Sequence, residues 1–221
     1  MTLPFSGIRQ SITPGSFTTA RAVAFGAVLL VLALAGCGED PPALPKLAPG
    51  DVVLAFGNSL TFGTGAEREE SYPAVLARRI GFEVVNAGVP GEVTASGLKR
   101  LPAVLERENP KLVVLCHGGN DMLRKKSIGA AEQNLREMIG IIRQHGASVV
   151  MLGVPNFGLF LNTAEFYETV ANDLGVPIDA EIIPDLLGDN EFKSDHIHPN
   201  AKGYARIAEA VENLLREGGA L

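Results

Sequence analysis

The 221-residue sequence has no tryptophan, only three tyrosines, two cysteines and no excess of positive charge. The net charge is -6 at pH 7, so the sequence does not predict the basic surface that binding to a phosphate backbone requires. Nucleic acid is therefore not an expected partner. The scarcity of large aromatic side chains also argues against a platform for sugars or stacked bases. The composition is globular, with 46% hydrophobic and 20% charged residues, and suits one domain with a full core.

Long apolar runs are also few, and the longest uncharged stretch near the N-terminus covers only residues 22–36. That length is typical of the apolar region of a signal peptide and is short for a transmembrane helix. We therefore expect residues 1–36 to be an export signal. The stretch ends in Leu-Ala-Gly-Cys, which resembles the bacterial lipobox, whose cysteine, here Cys37, is lipidated after cleavage. An ordinary signal peptide and a retained anchor are the alternatives.

The Pro-rich segment that follows, residues 37–50, is predicted to be a flexible tether. Together these features predict a protein held by lipid on the periplasmic side of the inner or outer membrane of a bacterial envelope. If Cys37 carries lipid, Cys116 is the one remaining thiol and has no intramolecular disulfide partner. Because Cys116 ends an apolar run, a packed and inert cysteine is favoured over a nucleophile.

From Asp51 onward, short apolar runs alternate with segments whose apolar residues recur every three or four positions. The runs predict strands at 51–56, 83–87, 112–116, 148–152 and, more weakly, 176–179. A strand followed by a helix, repeated along the chain, predicts a parallel sheet covered on both faces. Residues 51–221 are therefore expected to form one α/β domain. Pro102 is expected to begin or kink a helix ending near Asn109, and Gly146 to stop another.

Glycines and small polar residues gather directly after these strands, where α/β proteins place their functional groups. The loops are Gly57-Asn58-Ser59-Leu60, Asn86 to Gly91, Gly118 to Asp121 and, near the C-terminus, Asp195 to Pro199.

These loops, in this order, resemble the four sequence blocks of the SGNH or GDSL hydrolases. The family's Ser, Gly, Asn and His fall on Ser59, Gly91, Asn120 and His198, and its Asp-x-x-His pair falls on Asp195 and His198. The resemblance implies a flavodoxin-like three-layer α/β/α sandwich with a central, mostly parallel five-stranded sheet. Within the family, the sequence looks most like the small bacterial envelope esterases that are similar to arylesterase and to thioesterase I/lysophospholipase.

The chemistry of these residue types points the same way. A serine hydroxyl needs a base to take its proton, and a histidine base needs a carboxylate to fix its tautomer, which are the roles expected of Ser59, His198 and Asp195. Acyl transfer also needs donors aimed at the oxyanion, and the N–H groups of Ser59 and Gly91 with the Asn120 amide are the candidates. Structural alternatives exist for each residue: a helix cap, a turn glycine or an Asx-turn.

Other motifs fit less well. Asp195, His196 and His198 lack a third or fourth zinc ligand with sensible spacing, so no metal is expected. The glycines at 57, 63 and 65 do not match the G-x-G-x-x-G dinucleotide fingerprint, so no cofactor is expected. Ser59 does not lie in a G-x-S-x-G elbow, which disfavours an α/β-hydrolase fold.

Two polar residues depart from the simple scheme. Position 58 is Asn where the family usually has Asp; since the expected triad carboxylate is Asp195, activity is still expected. His117, after the third strand, is interpreted as a histidine bonded to a neighbour rather than as a second base. The apolar segment 155–161 is expected either to line an acyl groove or to pack in the core.

The sequence thus predicts a serine esterase that cleaves carboxylic esters or thioesters, with a small-molecule ester or a lysolipid as substrate and no cofactor. A carbohydrate or peptidoglycan O-deacetylase is the alternative within the family. A non-catalytic surface lipoprotein that binds acyl chains or glycans is the alternative from another class.

Overall fold

The computed structural model describes residues 43–156 and 161–221. The predicted signal peptide, residues 1–36, and the lipidation site Cys37 lie outside the described residues. The strands are β1 Val52–Gly57, β2 Glu83–Gly88, β3 Leu112–Cys116, β4 Ser148–Leu152 and β5 Ile178–Asp179. The helices are α1 Ser59–Phe62, α2 Tyr72–Ile80, α3 Thr94–Glu108, α4 Gly119–Leu123, α5 Ile128–Gln144, α6 Glu165–Leu174, α7 Ile182–Gly188 and α8 Ala201–Glu217, with a 3₁₀ turn at Arg68–Glu70.

The five strands form one parallel sheet in the order β2-β1-β3-β4-β5, so the predicted parallel α/β architecture is confirmed. Strands β1, β3 and β4 are buried almost throughout because helices cover both faces of the sheet. Helix α2 packs on α8, and α3 packs on α5. Right-handed crossovers place α2 on one face and α3, α5 and α6 on the other.

The order of the strands fixes where a site can form. From β1 the chain moves outward to β2 and then returns to β3 on the opposite side of β1. In parallel sheets a crevice opens at such a reversal, outside the carboxyl ends of the two strands. Here it lies between the loop after β1 and the loop after β3.

Four predicted strands lie within one residue of their observed bounds, whereas β5 has only two residues. Pro177 precedes it without an N–H to donate, which suits the start of a short edge strand. Pro102 was expected to begin or kink a helix; it does not begin one, because α3 begins eight residues earlier at Thr94 and includes the proline, and the expected kink stays a prediction. Buried Leu101 and Leu105 on both sides of Pro102 hold that helix against the core. The predicted helix end at Asn109 is confirmed.

The segment predicted as a tether is packed over part of its length. The Leu44 N–H donates to the Gly218 carbonyl at 2.7 Å, and the Leu47 N–H donates to the Ala220 carbonyl at 2.9 Å. The Leu47 side chain is buried in the core. The folded domain therefore begins at or before Leu44 rather than at Asp51. The reason is that the apolar side chains of Leu44 and Leu47 pack against the domain near the end of α8.

Cys116 is buried among core residues, as expected for a packed cysteine. Burial raises the pKa of its thiol to about 12, so it stays protonated and inert at neutral pH. In the described ranges 43–156 and 161–221, no helix is long and apolar enough to span a bilayer.

Candidate active site

The loop after β1 places Ser59 at the first position of α1. Asn58 caps this helix through its side-chain oxygen, which accepts the Leu60 N–H at 3.0 Å. Asn and Asp serve equally well as N-caps, so the structural role of position 58 survives without the charge. The N–H groups of the first helical residues have no partner within a helix, which leaves the Ser59 N–H free to bind an anion.

Ser59 meets a histidine from the far end of the chain. His198 Nε2 lies 3.0 Å from Ser59 Oγ, and His198 Nδ1 lies 2.8 Å from Asp195 Oδ2. The other carboxylate oxygen of Asp195 accepts the backbone N–H groups of Ile197 at 2.8 Å and His198 at 2.9 Å. The three residues therefore form a continuous hydrogen-bonded chain.

Burial differs along this chain of three. The His198 side chain is 14% exposed, whereas the Asp195 side chain is 52% exposed. Partial burial opposes ionisation of Asp195, but hydrogen bonds from His198 and from the Ile197 backbone lower its pKa overall. The carboxylate is thus charged at neutral pH. It accepts the Nδ1–H of His198 and leaves the lone pair of Nε2 facing the Ser59 hydroxyl.

Gly91 lies in a tight turn after β2. The Glu92 N–H donates to the Val89 carbonyl at 3.2 Å, with Pro90 and Gly91 at the two central positions. Gly91 has φ +74°. Pro followed by a residue of positive φ defines a type II turn, in which the third position favours glycine. The N–H of that position takes no part in the turn's own hydrogen bond and is available to a ligand.

Asn120 lies in α4, after β3. It lines a shallow cleft together with Ser59 and His198; the other lining residues are Asn58, Leu60, Gly119, Leu123, Val154 and Ile197. One N–H of the Asn120 amide donates to the Glu92 carbonyl at 3.0 Å. The structure therefore brings Ser59, His198 and Asn120 to one cleft. Gly91 does not line it and is connected through the neighbouring Glu92.

Asp121, the next residue, has a different role. Its carboxylate accepts the Thr94 N–H at 2.9 Å and the Thr94 hydroxyl at 2.8 Å. Thr94 is the first residue of α3, where the helix dipole favours a negative charge. Asp121 therefore joins α4 to α3 and fixes the turn that carries Asn120.

His117 is bonded to a neighbour, as expected: its Nε2 lies 3.1 Å from a carboxylate oxygen of Glu92. Glu92 also forms an ion pair with Arg100 at 2.7 Å. The sequence analysis did not predict Glu92 or Arg100. In the apolar segment 155–161, residues 157–160 lie outside the described part, and Pro155 forms an isolated bridge with Thr163.

Within residues 43–156 and 161–221, no three His, Cys, Asp or Glu side chains cluster in a way that could hold a metal ion. The groups that do converge are a hydroxyl, an imidazole, a carboxylate and the N–H donors of Ser59 and Asn120. This set can take a proton from the serine, return it to a leaving group and stabilise a negative oxygen between the two steps.

The chain resembles known proteins over the same region. The sequence model of the GDSL-like Lipase/Acylhydrolase family matches residues 55–206. Esterase TesA of Pseudomonas aeruginosa is 32% identical over 186 residues, which cover 78% of this chain and 92% of that protein. Thioesterase 1/protease 1/lysophospholipase L1 of Escherichia coli is 30% identical over 179 residues, covering 77% and 86%. A crystal structure of TesA superposes with a TM-score of 0.69 at 30% identity, covering 76% of this chain and 99% of that one.

Proposed function

Since the chain belongs to the GDSL-like lipase/acylhydrolase family, we propose that this SGNH-type serine esterase cleaves carboxylic esters or thioesters through a triad of Ser59, His198 and Asp195. One observation carries the assignment of the triad. Ser59 Oγ lies 3.0 Å from Nε2 of His198, and Nδ1 of the same ring lies 2.8 Å from Asp195. This geometry supports a nucleophile, a general base and a residue that orients the base.

The proposed reaction has two steps. His198 takes the proton of Ser59 as Oγ attacks the carbonyl carbon, and the N–H groups of Ser59 and Gly91 with the Asn120 amide stabilise the oxyanion. The imidazolium of His198 then gives its proton to the departing alcohol or thiol, leaving an acyl group on Ser59. Water attacks the acyl carbonyl while His198 takes its proton, and the acid leaves as Ser59 regains its hydrogen.

Apolar side chains near the site support an acyl substrate. Phe62, Val89 and Leu123 follow β1, β2 and β3, and they are 52%, 40% and 40% exposed. Leu123 lines the cleft itself. Exposed apolar side chains at a functional edge suit contact with a hydrocarbon chain. The proposed substrates are therefore acyl esters, aryl esters, lysolipids or acyl thioesters.

A substrate panel tests this proposal. Hydrolysis of p-nitrophenyl esters from acetate to palmitate, of acyl thioesters and of acetylated sugars is measured for the wild type and for Ser59→Ala. We expect hydrolysis of the simple esters that disappears in Ser59→Ala. Activity on acetylated sugars alone would favour an O-deacetylase, whereas binding without any Ser59-dependent turnover would favour a non-catalytic acyl or glycan binder.

We also propose that the enzyme is anchored in the bacterial envelope by lipid on Cys37, on the basis of the Leu-Ala-Gly-Cys motif after the uncharged stretch. Growth with an alkyne fatty acid tests the proposal. The wild type should incorporate the label, and Cys37→Ser should not. Equal labelling of both would contradict it, and Cys116→Ser serves as the control for the other thiol.

A further inference from the structure

A buried ionic cluster lies beside the cleft and has no part in the proton transfers proposed above. We call it the Arg100–Glu92–His117 cluster. The Glu92 carboxylate accepts N–H groups from Arg100 at 2.7 to 2.9 Å and the Nε2–H of His117 at 3.1 Å. The His117 side chain is 0% exposed and that of Glu92 is 7% exposed. Charged groups are rarely buried to this degree unless they are paired, and here both carboxylate oxygens of Glu92 accept hydrogen bonds.

The cluster is bonded to all three loops that carry the proposed oxyanion donors. Arg100 Nη2 donates to the carbonyls of Gly57 at 3.2 Å and Ala87 at 2.9 Å, at the ends of β1 and β2. Ser59 follows Gly57 by two residues, and Gly91 directly precedes Glu92. His117 directly follows β3 and lies in the loop that leads to Asn120.

The main chain of Glu92 extends this connection to a side chain in the cleft. Its carbonyl oxygen accepts one N–H of the Asn120 amide at 3.0 Å. The position of Glu92 therefore sets the direction of that amide. An amide nitrogen has two hydrogens, so the second N–H is left for an oxyanion in the cleft.

The protonation states suit a fixed donor pattern. Burial opposes ionisation of Glu92, but hydrogen bonds from His117 and Arg100 lower its pKa overall, so its carboxylate is charged at neutral pH. An ionised carboxylate only accepts hydrogen bonds, which requires the hydrogen of His117 to lie on Nε2. Within residues 43–156 and 161–221, His117 Nδ1 is buried with no hydrogen-bond partner. Among the described residues, the only hydrogen bond of the His117 ring is therefore the one to Glu92.

The residues around His117 leave room for its imidazole ring. A Cβ at Gly97 in α3 would overlap Nε2 of His117, so the glycine leaves the space through which the ring reaches Glu92. The Arg100 guanidinium stacks over the Phe56 ring with its carbon 4.0 Å from the centroid. Each end of the cluster is thus supported by packing as well as by hydrogen bonds.

We propose that Arg100, Glu92 and His117 are positioning residues, which hold Gly91 and Asn120 in the geometry that stabilises the oxyanion. The proposal rests on the proposed function. Buried ion pairs contribute little net stability compared with apolar packing, and in some proteins their role is to fix one conformation. Oxyanion donors are effective only when they are held in place before the charge develops. The cluster should therefore matter for turnover more than for binding of the ester.

The first test removes the His117 hydrogen bond while Arg100 still neutralises Glu92, so that the chain folds. His117→Leu should lower kcat by roughly 5- to 50-fold with KM within about twofold, less than deletion of an oxyanion donor itself. His117→Gln, whose amide can again donate to Glu92, should recover most of the loss. Ile142→Val in the core of α5 supplies a mild destabilisation remote from the loops and should leave kcat unchanged.

A second readout reports the oxyanion directly. A trifluoromethyl ketone forms a reversible tetrahedral adduct with an active serine, and its affinity depends on the same donors. The affinity should fall in His117→Leu by about the same factor as kcat. A purely structural role would lower the melting temperature and leave both the affinity and the active-site-titrated kcat at the wild-type value.

The third test displaces the ring without removing a polar group. Gly97→Ala should lower kcat because its methyl group pushes His117 away from Glu92. In a His117→Ala background, where the ring is absent, the same change should have little further effect. Equal losses in both backgrounds would contradict the proposal.

The outcomes separate this proposal from the one on which it rests. Ser59-dependent hydrolysis in the wild type, together with wild-type kcat and trifluoromethyl ketone affinity in His117→Leu, overturns the positioning role alone. Wild-type protein without Ser59-dependent hydrolysis overturns both proposals.

Discussion

At the residue scale, the place of one hydrogen decides whether His198 can act as a base. Asp195 uses one carboxylate oxygen for the backbone N–H groups of Ile197 and His198, and the other for His198 Nδ1. The first oxygen is thereby committed to its loop. The second is left to hold the Nδ1–H tautomer, in which Nε2 can accept the Ser59 proton.

Asp195→Asn should therefore lower kcat strongly while the fold survives. The amide oxygen can keep the two backbone hydrogen bonds, which turns the NH2 group toward His198 Nδ1. An NH2 group can donate only to an unprotonated Nδ1, so this contact favours the tautomer of His198 with its hydrogen on Nε2. In that tautomer Nε2 has no lone pair to accept the Ser59 proton. We expect a loss in kcat of up to about 10⁴-fold with an unchanged melting temperature. A loss below tenfold would contradict the role of Asp195 in fixing the tautomer.

Asn120→Ala separates an oxyanion donor from a turn residue. If the amide binds the oxyanion, its hydrogen bond strengthens as charge develops, so kcat should fall by about 10²–10³-fold with little change in KM. Active-site-titrated kcat and melting temperature are measured together. A destabilised variant with near-normal kcat per folded molecule would remove Asn120 from the proposed oxyanion donors.

The triad candidates could be found from sequence because Ser59 directly follows a predicted strand and Asp195 and His198 match the Asp-x-x-His pair of the family that the sequence resembles. Glu92 and Arg100 could not. In sequence each is an ordinary charged residue in a loop or a helix, and such residues are usually solvated. Their partners lie across the fold: Arg100 contacts the end of β1, and His117 follows β3. The reason for their burial is visible only in the folded structure, where the segments that follow β1, β2 and β3 lie side by side.

At the scale of elements, the type II turn after β2 combines a backbone requirement with a proposed catalytic role. Gly91 adopts a positive φ of +74° that side chains disfavour. The space around it is open except for Arg124, whose Nη2 lies 3.2 Å from the position of a Cβ. A substitution here therefore acts first through the turn conformation.

Gly91→Ala should cost about 1–2 kcal/mol of stability through backbone strain and should also lower kcat, because the turn carries a proposed oxyanion donor. Gly81→Ala is the matched control. Gly81 has φ +73° at the end of α2, with nothing within 4 Å of its Cβ position. Thermal unfolding and kcat are measured for both. Equal stability losses with a kcat loss only at Gly91 are expected, and equal kcat values would contradict a catalytic role for the turn.

The central strands could be predicted closely because β1 and β3 are buried on both faces and appear as continuous apolar runs. The bounds of α3, the helix that contains Pro102, were harder to predict from sequence. A proline within a helix is rarely tolerated, and the tertiary packing that keeps it there is not visible in sequence. The start of α3 depends instead on Asp121 in α4, whose carboxylate accepts the N–H of Thr94. Such a cap between distant segments leaves no local pattern.

At the scale of the whole molecule, the packing of Leu44 and Leu47 limits how far the domain can move from its proposed anchor. Leu44 lies seven positions after Cys37, and a chain spans at most about 3.6 Å per residue. The first packed residue is thus within roughly 25 Å of a lipidated Cys37.

Residues 44–50 should contribute to stability without affecting catalysis. A variant that lacks residues 1–50 loses the buried Leu47 side chain, which a variant lacking residues 1–43 keeps. We expect the shorter protein to be less stable by about 2 kcal/mol, which corresponds to a melting temperature lower by roughly 4–8 °C. Both should have the same kcat on a soluble ester. Equal melting temperatures would contradict the packing of this segment.

The central claim is that His198 activates Ser59 as a nucleophile, and covalent labelling with a fluorophosphonate tests it most directly. The account predicts one adduct per molecule on the Ser59 peptide by mass spectrometry, no adduct in Ser59→Ala, and labelling slowed by several powers of ten in His198→Ala. An adduct on another residue, or wild-type labelling rates in His198→Ala, would contradict the account.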